Sequence, residues 1–279
     1  MIKLGLVGDP ISHSLSPIIH STVMKNLNKP FSYELYNIKK GNLELFISKV
    51  KEENITGFNV TMPHKVDIIE FLDELDNESL TYNSVNTVKY ENGKLYGYNT
   101  DADGFIMSFE NESISLKDKN ILILGAGGVT NTIAVKIAKY IPEKIVILNR
   151  NISKAQDVCT IVKNNINVDI KSDNFDTETI ANYAQYANVL INTTPLGMHG
   201  VSEDFKDITF LENLNRSAIV YDLIYNPRQT KLLKHASKLG LKTMNGLEML
   251  INQAIIADQI YLKEFIDIKR LNKFVKQNL

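Results

Sequence analysis

Cysteine occurs once in the 279 residues, at Cys159, so no disulfide can close within the chain, and no spacing of cysteine with histidine suggests zinc. Cys159 falls in a helical pattern, where it reads as a small core residue. Net charge is nearly absent as well. Thirty-one Lys and Arg against 32 Asp and Glu leave −1, which gives no electrostatic case for nucleic acid or an anionic membrane surface as a partner. No apolar run approaches the ~20 residues of a membrane span. A signal peptide is not expected, because "IKLGLVG" (Ile2–Gly8) is too short and too soon broken by glycine. No internal repeat or low-complexity segment stands out. With 44% hydrophobic and 23% charged residues the composition is that of an ordinary globular chain, expected in a reducing cytoplasm. Its length suffices for two domains, each with its own core.

Apolar, β-rich runs alternate with helical patterns along nearly the whole chain. "KLGLVG", "YELYNI" and "GFNVT" read as strands, with helices near Pro17–Asn26 and Leu43–Glu53 between them. That alternation predicts parallel βαβ units. "VKYENGKLYGY" differs: two short strands flank Asn92-Gly93, the signature of a type I′ hairpin. After the polar stretch Asn111–Asn120 a second series begins, with strands "NILILG", "KIVILNR", "NVLINTT" and "AIVYDLIY". The boundary is expected near Phe105–Ser115. From Gly246 onward the sequence is helical and adds no strand. Two helices make a poor third domain, so they are expected to pack back on the first one.

The second series opens on strand, glycine turn and helix, "NILILGAGGVTNTIAVKIA". Gly125, Gly127 and Gly128 permit a tight turn and a close approach of backbone amides to a pyrophosphate at the helix N-terminus. A glycine turn alone is weak evidence, but both flanking elements are present. Thr130 departs from the glycine or alanine that would let helix and strand approach most closely. The following strand bears on which dinucleotide is held. A site for NAD would end it with Asp or Glu on the ribose 2′-hydroxyl. It ends instead in Asn149-Arg150, with Lys154 a turn later. Arg150 can pair with a 2′-phosphate through two parallel hydrogen bonds, where a carboxylate would repel it. Two solvated loop cations are the plainer alternative, more so for Lys154. The expectation is NADP(H) over NAD(H).

The first half carries small polar groups in short motifs. "HSLSP" places Ser14 and Ser16 before a proline that can open a helix. Two hydroxyls at a helix N-terminus suit a carboxylate, and one of them could serve as an ordinary N-cap. "NVTMPHK" offers Thr61 and Lys65, "SVNT" offers Asn86 and "YNTDADGF" offers Asp101. A hydroxyl, an ammonium, an amide and a carboxylate from separate strand ends suit a small polyhydroxylated acid at the carboxyl edge of a sheet. For Lys65 alone, a solvated lysine after a turn is the bland alternative.

These motifs resemble those of the shikimate dehydrogenases, in the order typical of that family. They are "HSLSP" (His13–Pro17), "NVTMPHK" (Asn59–Lys65), "VNT" (Val85–Thr87), "NTDADG" (Asn99–Gly104), "GAGG" (Gly125–Gly128), "NR" (Asn149-Arg150), "TPLGM" (Thr194–Met198), "DLIYNP" (Asp222–Pro227) and "GLEMLINQ" (Gly246–Gln253). The resemblance covers nearly the full chain. It implies an α/β protein of two domains: a substrate domain over residues 1–105, completed by 246–279, and an NADP-binding Rossmann domain over 106–245. It also implies the reaction, NADPH-dependent reduction of 3-dehydroshikimate to shikimate in chorismate and aromatic amino acid biosynthesis, by a monomer or homodimer.

The resemblance further implies roles by position. Ser14 and Ser16 would bind the substrate carboxylate, with Tyr225 helping, while Thr61, Asn86, Asp101 and Gln253 would hold its hydroxyls. Lys65 and Asp101 would form the catalytic pair. Gly125, Ala126, Gly127, Gly128, Val129, Asn149, Arg150, Asn151, Lys154 and Thr194 would contact the cofactor, with Leu223 and Gly246 lining its nicotinamide end. The chemistry agrees, since carbonyl reduction builds negative charge on oxygen and a positioned ammonium can stabilise it and supply the proton. Guanidinium would hold its proton instead.

Three places depart from the family pattern. Ser21 stands where asparagine is usual, Asn83-Ser84 where Gly-Ala precedes "VNT", and Asn151 where threonine is common. His13 reads as structural, and His20, His64, His199 and His235 show no base or metal partner. The rivals are a quinate/shikimate dehydrogenase using NAD(H), a non-catalytic NADP-binding sensor and a methylenetetrahydrofolate-type dehydrogenase. The missing acidic residue counts against the first, the presence of Lys65 and Asp101 against the second, and the paired serines with Gln253 against the third.

Overall fold

The computed structural model describes the whole chain, Met1–Leu279. It divides into two compact units, Met1–Phe105 with Ile251–Leu279, and Ile106–Leu250.

The first unit contains β1 (Ile2–Gly8), α1 (Ser16–Asn26), β2 (Phe31–Asn37), α2 (Leu43–Glu52), β3 (Gly57–Val60), a 3₁₀ turn (Asp67–Phe71), β4 (Glu74–Leu75), α3 (Asn77–Tyr82), β5 (Thr87–Glu91), β6 (Lys94–Tyr98) and the start of α4 (Asp101–Asn111). The sheet order is β2-β1-β3-β5-β6-β4. The βαβ segments pair β1 with β2 and β3 in parallel, whereas β5 runs antiparallel to both β3 and β6. Asn92 and Gly93 join β5 to β6 with φ of 51° and 80°, the double positive φ that a two-residue type I′ turn requires.

Side chains leave this sheet alternately. Val7, Phe58, Val60, Val88 and Leu95 pack with Phe46, Ile47 and Val50 of α2. On the other face Leu4 meets Met24 of α1 and Ala257 and Tyr261 of the C-terminal segment. Gly57 is required here, because a Cβ would run into the Tyr261 ring. The C-terminal helices therefore complete the first unit's core.

The second unit contains β7 (Asn120–Leu124), α5 (Gly128–Ala138), β8 (Lys144–Asn149), α6 (Ile152–Asn165), β9 (Ile170–Asn174), α7 (Thr177–Ala184), β10 (Val189–Asn192), a 3₁₀ turn (Thr209–Asn213), β11 (Ile219–Asp222), α8 (Lys231–Lys238) and β12 (Lys242–Asn245). Its sheet is wholly parallel in the order β12-β11-β10-β7-β8-β9. Central strands of such a sheet are covered on both faces, which is why "NILIL" and "VLIN" read as unbroken apolar runs. α9 (Leu247–Leu262) and α10 (Ile268–Gln277) close the chain, and the division between the units falls inside α9.

Candidate active site

Strands β1 and β3 run parallel with Val7 opposite Val60, so their carboxyl ends finish side by side. Beyond β3 the chain makes one tight turn, His64 N–H donating to Thr61 O at 2.9 Å, and Lys65 follows. Val85 N–H holds the Lys65 carbonyl at 2.8 Å. Asp101 reaches the same place as the first residue of α4. Lys65 Nζ donates to Asp101 Oδ2 at 2.5 Å, and the two side chains are only 28% and 11% exposed. Oδ1 of the same carboxylate accepts from Asn86 Nδ2 at 2.9 Å. The positive end of the helix dipole adds a further field that favours the carboxylate.

Asn86 is the hub of this cluster. Its Oδ1 accepts from Thr100 N–H at 2.8 Å and from the Thr87 hydroxyl at 3.0 Å, while Nδ2 also lies 3.3 Å from Gln253 Oε1. Lys65, Asp101, Asn86 and Gln253 thus meet in one hydrogen-bonded group, with Thr61 four residues before the lysine. Ser14 and Ser16 follow β1 at the same sheet edge. Of the two readings of the serines, capping suits neither fully. The N-cap position of α1 is Leu15, which makes no side-chain bond. Ser14 Oγ instead accepts from Ser16 N–H at 3.2 Å, and Ser16 is buried.

In the second unit, Gly125 has φ +112° and a Cβ there would strike the Thr193 hydroxyl and Thr194. Gly127 and Gly128 differ, since a Cβ on either would meet nothing within 4 Å. The turn therefore leaves open space over the N-terminus of α5, where the N-cap residue, Gly127, has no side chain to take the first helical amides. Ala126 and Val129 flank that space. Open backbone N–H groups at a helix N-terminus fit a pyrophosphate. Thr194 is pinned through its N–H and hydroxyl to Asn192 Oδ1, at 3.0 and 2.6 Å.

Arg150 leaves β8 and pairs with Glu203, Nη2 to Oε2 at 2.9 Å. Asn149 Nδ2 donates to the Asn151 carbonyl at 2.9 Å, and Asn151 Oδ1 caps α6 by accepting from Ser153 N–H at 3.1 Å. Lys154 is exposed on the first turn of that helix. Leu223 and Gly246 meet past the ends of β11 and β12, so close that no Cβ could stand between Gly246 and the Leu223 carbonyl. Tyr225 is half-buried two residues beyond Leu223, and burial pushes its phenol pKa upward.

Residues 6–88 match the family model of the shikimate dehydrogenase substrate binding domain, and residues 108–244 match that of shikimate / quinate 5-dehydrogenase. The chain belongs to the shikimate dehydrogenase family. A shikimate dehydrogenase (NADP(+)) of Methanococcus maripaludis is 38% identical over 287 residues, spanning 99% of this chain and 97% of the relative. A solved shikimate dehydrogenase in complex with NADP+ aligns with a TM-score of 0.89 at 37% identity, covering 100% of this chain and 96% of that one. A quinate dehydrogenase from Corynebacterium glutamicum in complex with NAD aligns with a TM-score of 0.88 at 26% identity, covering 100% and 99%.

The departures from the family pattern have local explanations at several positions. Asn83 is the C-cap of α3 with φ 48° and ψ 46°, a left-handed conformation that asparagine tolerates better than most residues. Ser84 is buried and its carbonyl accepts from Asn99 Nδ2 at 2.9 Å. Asn151 serves as the helix cap. Thr130, where glycine or alanine would allow the closest helix–strand approach, is buried, and its hydroxyl accepts from Gly127 N–H at 3.1 Å and lies 2.8 Å from the Thr193 hydroxyl. It ties the turn. Nothing in the structure explains Ser21.

Two groups escaped sequence reasoning. His20, which shows no partner in the sequence, is fully buried with Nδ1 2.7 Å from Asp258 Oδ1, and its ring stacks 4.6 Å from that of Tyr33. The partner lies 238 residues away, beyond the reach of any local pattern. Asp222 was visible only as the first letter of "DLIYNP". It is buried and accepts from Thr230 Oγ1 at 2.6 Å, Asn192 Nδ2 at 3.0 Å and Ile224 N–H at 3.1 Å. Burial raises its carboxyl to about 6.

Proposed function

We propose that the protein reduces 3-dehydroshikimate to shikimate reversibly with NADPH. The Lys65–Asp101 pair carries this reading, because it combines an ammonium, a carboxylate and partial burial at the carboxyl edge of a sheet. In this reading the first unit binds the substrate. Ser14 and Ser16 take the carboxylate, and Thr61, Asn86, Asp101 and Gln253 take the hydroxyls. The second unit holds NADP(H) through residues 125–129, Thr194 and the Asn149–Lys154 segment, with Leu223 and Gly246 at the nicotinamide end. Bound NADPH supplies the hydride.

The chain's own residues manage the proton and the developing charge. As the carbonyl at C3 becomes an alkoxide, Lys65 stabilises the charge and delivers a proton to that oxygen; in the reverse direction it takes the proton back. Asp101 keeps the ammonium aimed by its 2.5 Å contact and offsets its charge when no alkoxide is present. Asn86 fixes the carboxylate from behind. The enzyme is proposed to act in the cytoplasm, as a monomer or a homodimer.

One assay tests the reading. Shikimate and quinate are each offered with NADP+ and NAD+, and nicotinamide absorbance is followed. Shikimate with NADP+ is expected to give the highest kcat/KM of the four. Equal or better activity with NAD+ would sink the cofactor assignment, and preference for quinate would make the protein a quinate dehydrogenase.

A further inference from the structure

Arg150 is not left facing solvent alone. Its guanidinium donates to Glu203 Oε2 at 2.9 Å, although both side chains are more than half exposed, at 67% and 61%. The glutamate comes from a different part of the sheet, on the loop that follows β10. That loop is built. Gly197 N–H donates to the Glu203 carbonyl at 3.0 Å and Val201 N–H to the Met198 carbonyl at 3.1 Å. Gly197 takes the left-handed φ of +88° that this fold-back requires. Leu196 and Phe205, on either side, are buried in the core. The Glu203 backbone is thus held opposite the end of β8, within side-chain reach of the residue that reads the adenosine ribose.

We infer that Glu203 sets how strongly this enzyme prefers NADP(H) to NAD(H). The inference rests on the reading that Arg150 takes the 2′-phosphate. A carboxylate on that guanidinium competes for the same hydrogen bonds, and it repels the incoming phosphate charge. For NAD(H) the sign reverses. A ribose 2′-hydroxyl can donate to a carboxylate, which is the service normally given by an acidic residue at the end of the second strand. Here β8 ends in Asn149, and the carboxylate comes from the loop after β10 instead. Glu203 therefore weakens NADP(H) binding and supports NAD(H) binding, narrowing the preference that Arg150 creates.

The test is Glu203→Gln, which keeps the shape and removes the charge. Breaking an exposed pair is worth up to roughly fivefold, and removing the repulsion adds to it. NADP+ and the probe 2′,5′-ADP are expected to bind about three- to tenfold tighter, by calorimetry on the whole protein. The KM for NAD+ should rise or stay level, so that the NADP+/NAD+ ratio of kcat/KM increases. In an Arg150→Ala background the same substitution should gain much less, since the competition has been removed. An unchanged NADP+/NAD+ ratio in Glu203→Gln, with Arg150→Ala still weakening 2′,5′-ADP, overturns the inference and leaves the reading of Arg150 intact. Unchanged 2′,5′-ADP affinity in Arg150→Ala overturns the reading itself, and this inference with it.

Discussion

Lys65 and Asp101 are separated by 36 residues of sequence and joined by a 2.5 Å contact between ammonium and carboxylate. If the lysine is the proton donor and acceptor, Lys65→Ala should lower kcat by at least ~100-fold, the lower end for general acid–base catalysis. NADP+ binding should survive, and shikimate affinity should change less than the rate. Lys65→Arg should not restore activity, because guanidinium keeps its proton. Asp101→Ala should resemble Lys65→Ala, and the double variant should be little worse than either, as for groups acting as one unit. Near-normal kcat in a folded Lys65→Ala protein would return this lysine to a solvated surface role.

Ser16 is buried at the start of α1 and no side chain caps that helix through Leu15. Ser16→Ala should weaken shikimate binding, with a modest loss of stability because the Ser16 hydroxyl also interacts with the buried Tyr33 phenol. A lost hydrogen bond to a charged group is worth roughly 1.5–3 kcal/mol, so the KM for shikimate should rise on the order of tenfold or more while that for NADP+ stays level. Ser14→Ala should show the same rise in KM with some additional loss of stability, because Ser14 Oγ also holds Ser16 N–H. Thermal melts beside the kinetics separate the two effects. A normal KM in Ser16→Ala would remove that serine from the substrate.

His20 and Asp258 pin α1 to α9 from inside the first unit, both at 0% side-chain exposure. Burial raises the Asp258 carboxyl's pKa and the neighbouring His20 opposes that rise. Truncating one partner strands the other in a dry site, so Asp258→Ala should destabilise by ~3–5 kcal/mol in urea unfolding. Replacing both together, as His20→Leu with Asp258→Leu, should cost less than the two single changes added. Additive costs would mean that the two side chains do not stabilise each other.

Asp222 carries a pH dependence whose direction can be worked out. Its carboxyl is held at about 6 by burial, against 3.8 ordinarily. Between those values the folded state holds a proton that the unfolded state has released, so this group makes the protein less stable as pH rises from about 4 to about 6, by roughly 3 kcal/mol in all. Asp222→Asn should flatten that part of the stability profile and leave the protein no less stable at pH 7. The amide oxygen can still accept from Ile224 N–H and Asn192, and the amide N–H can donate to the Thr230 hydroxyl. Identical slopes for the two proteins between pH 4 and 6 would show that Asp222 titrates normally.

Much of this protein is decided by local sequence. The central strands of both sheets announce themselves because burial on two faces demands unbroken apolar runs. Asn92-Gly93 and Gly125 mark their turns because positive φ is cheap for few residues. Short motifs place Lys65, Asp101 and Asn86 at element ends, where side chains converge, while Gln253 comes from inside α9. The strands that escaped, β4, β9 and β12, all lie at sheet edges. An edge strand is covered less, so "IKSDN" and "KTMN" carry polar side chains and lack the pattern that betrays a strand. Pairings across long sequence separations were equally silent. Nothing near His20 names Asp258, nothing near Arg150 names Glu203, and nothing near Asp222 shows three donors closing on it. Those contacts exist only once the sheets have assembled, because partner and burial are properties of position in space. The residues supply the chemical groups, and the tertiary structure decides which of them share a proton, a charge or a ligand.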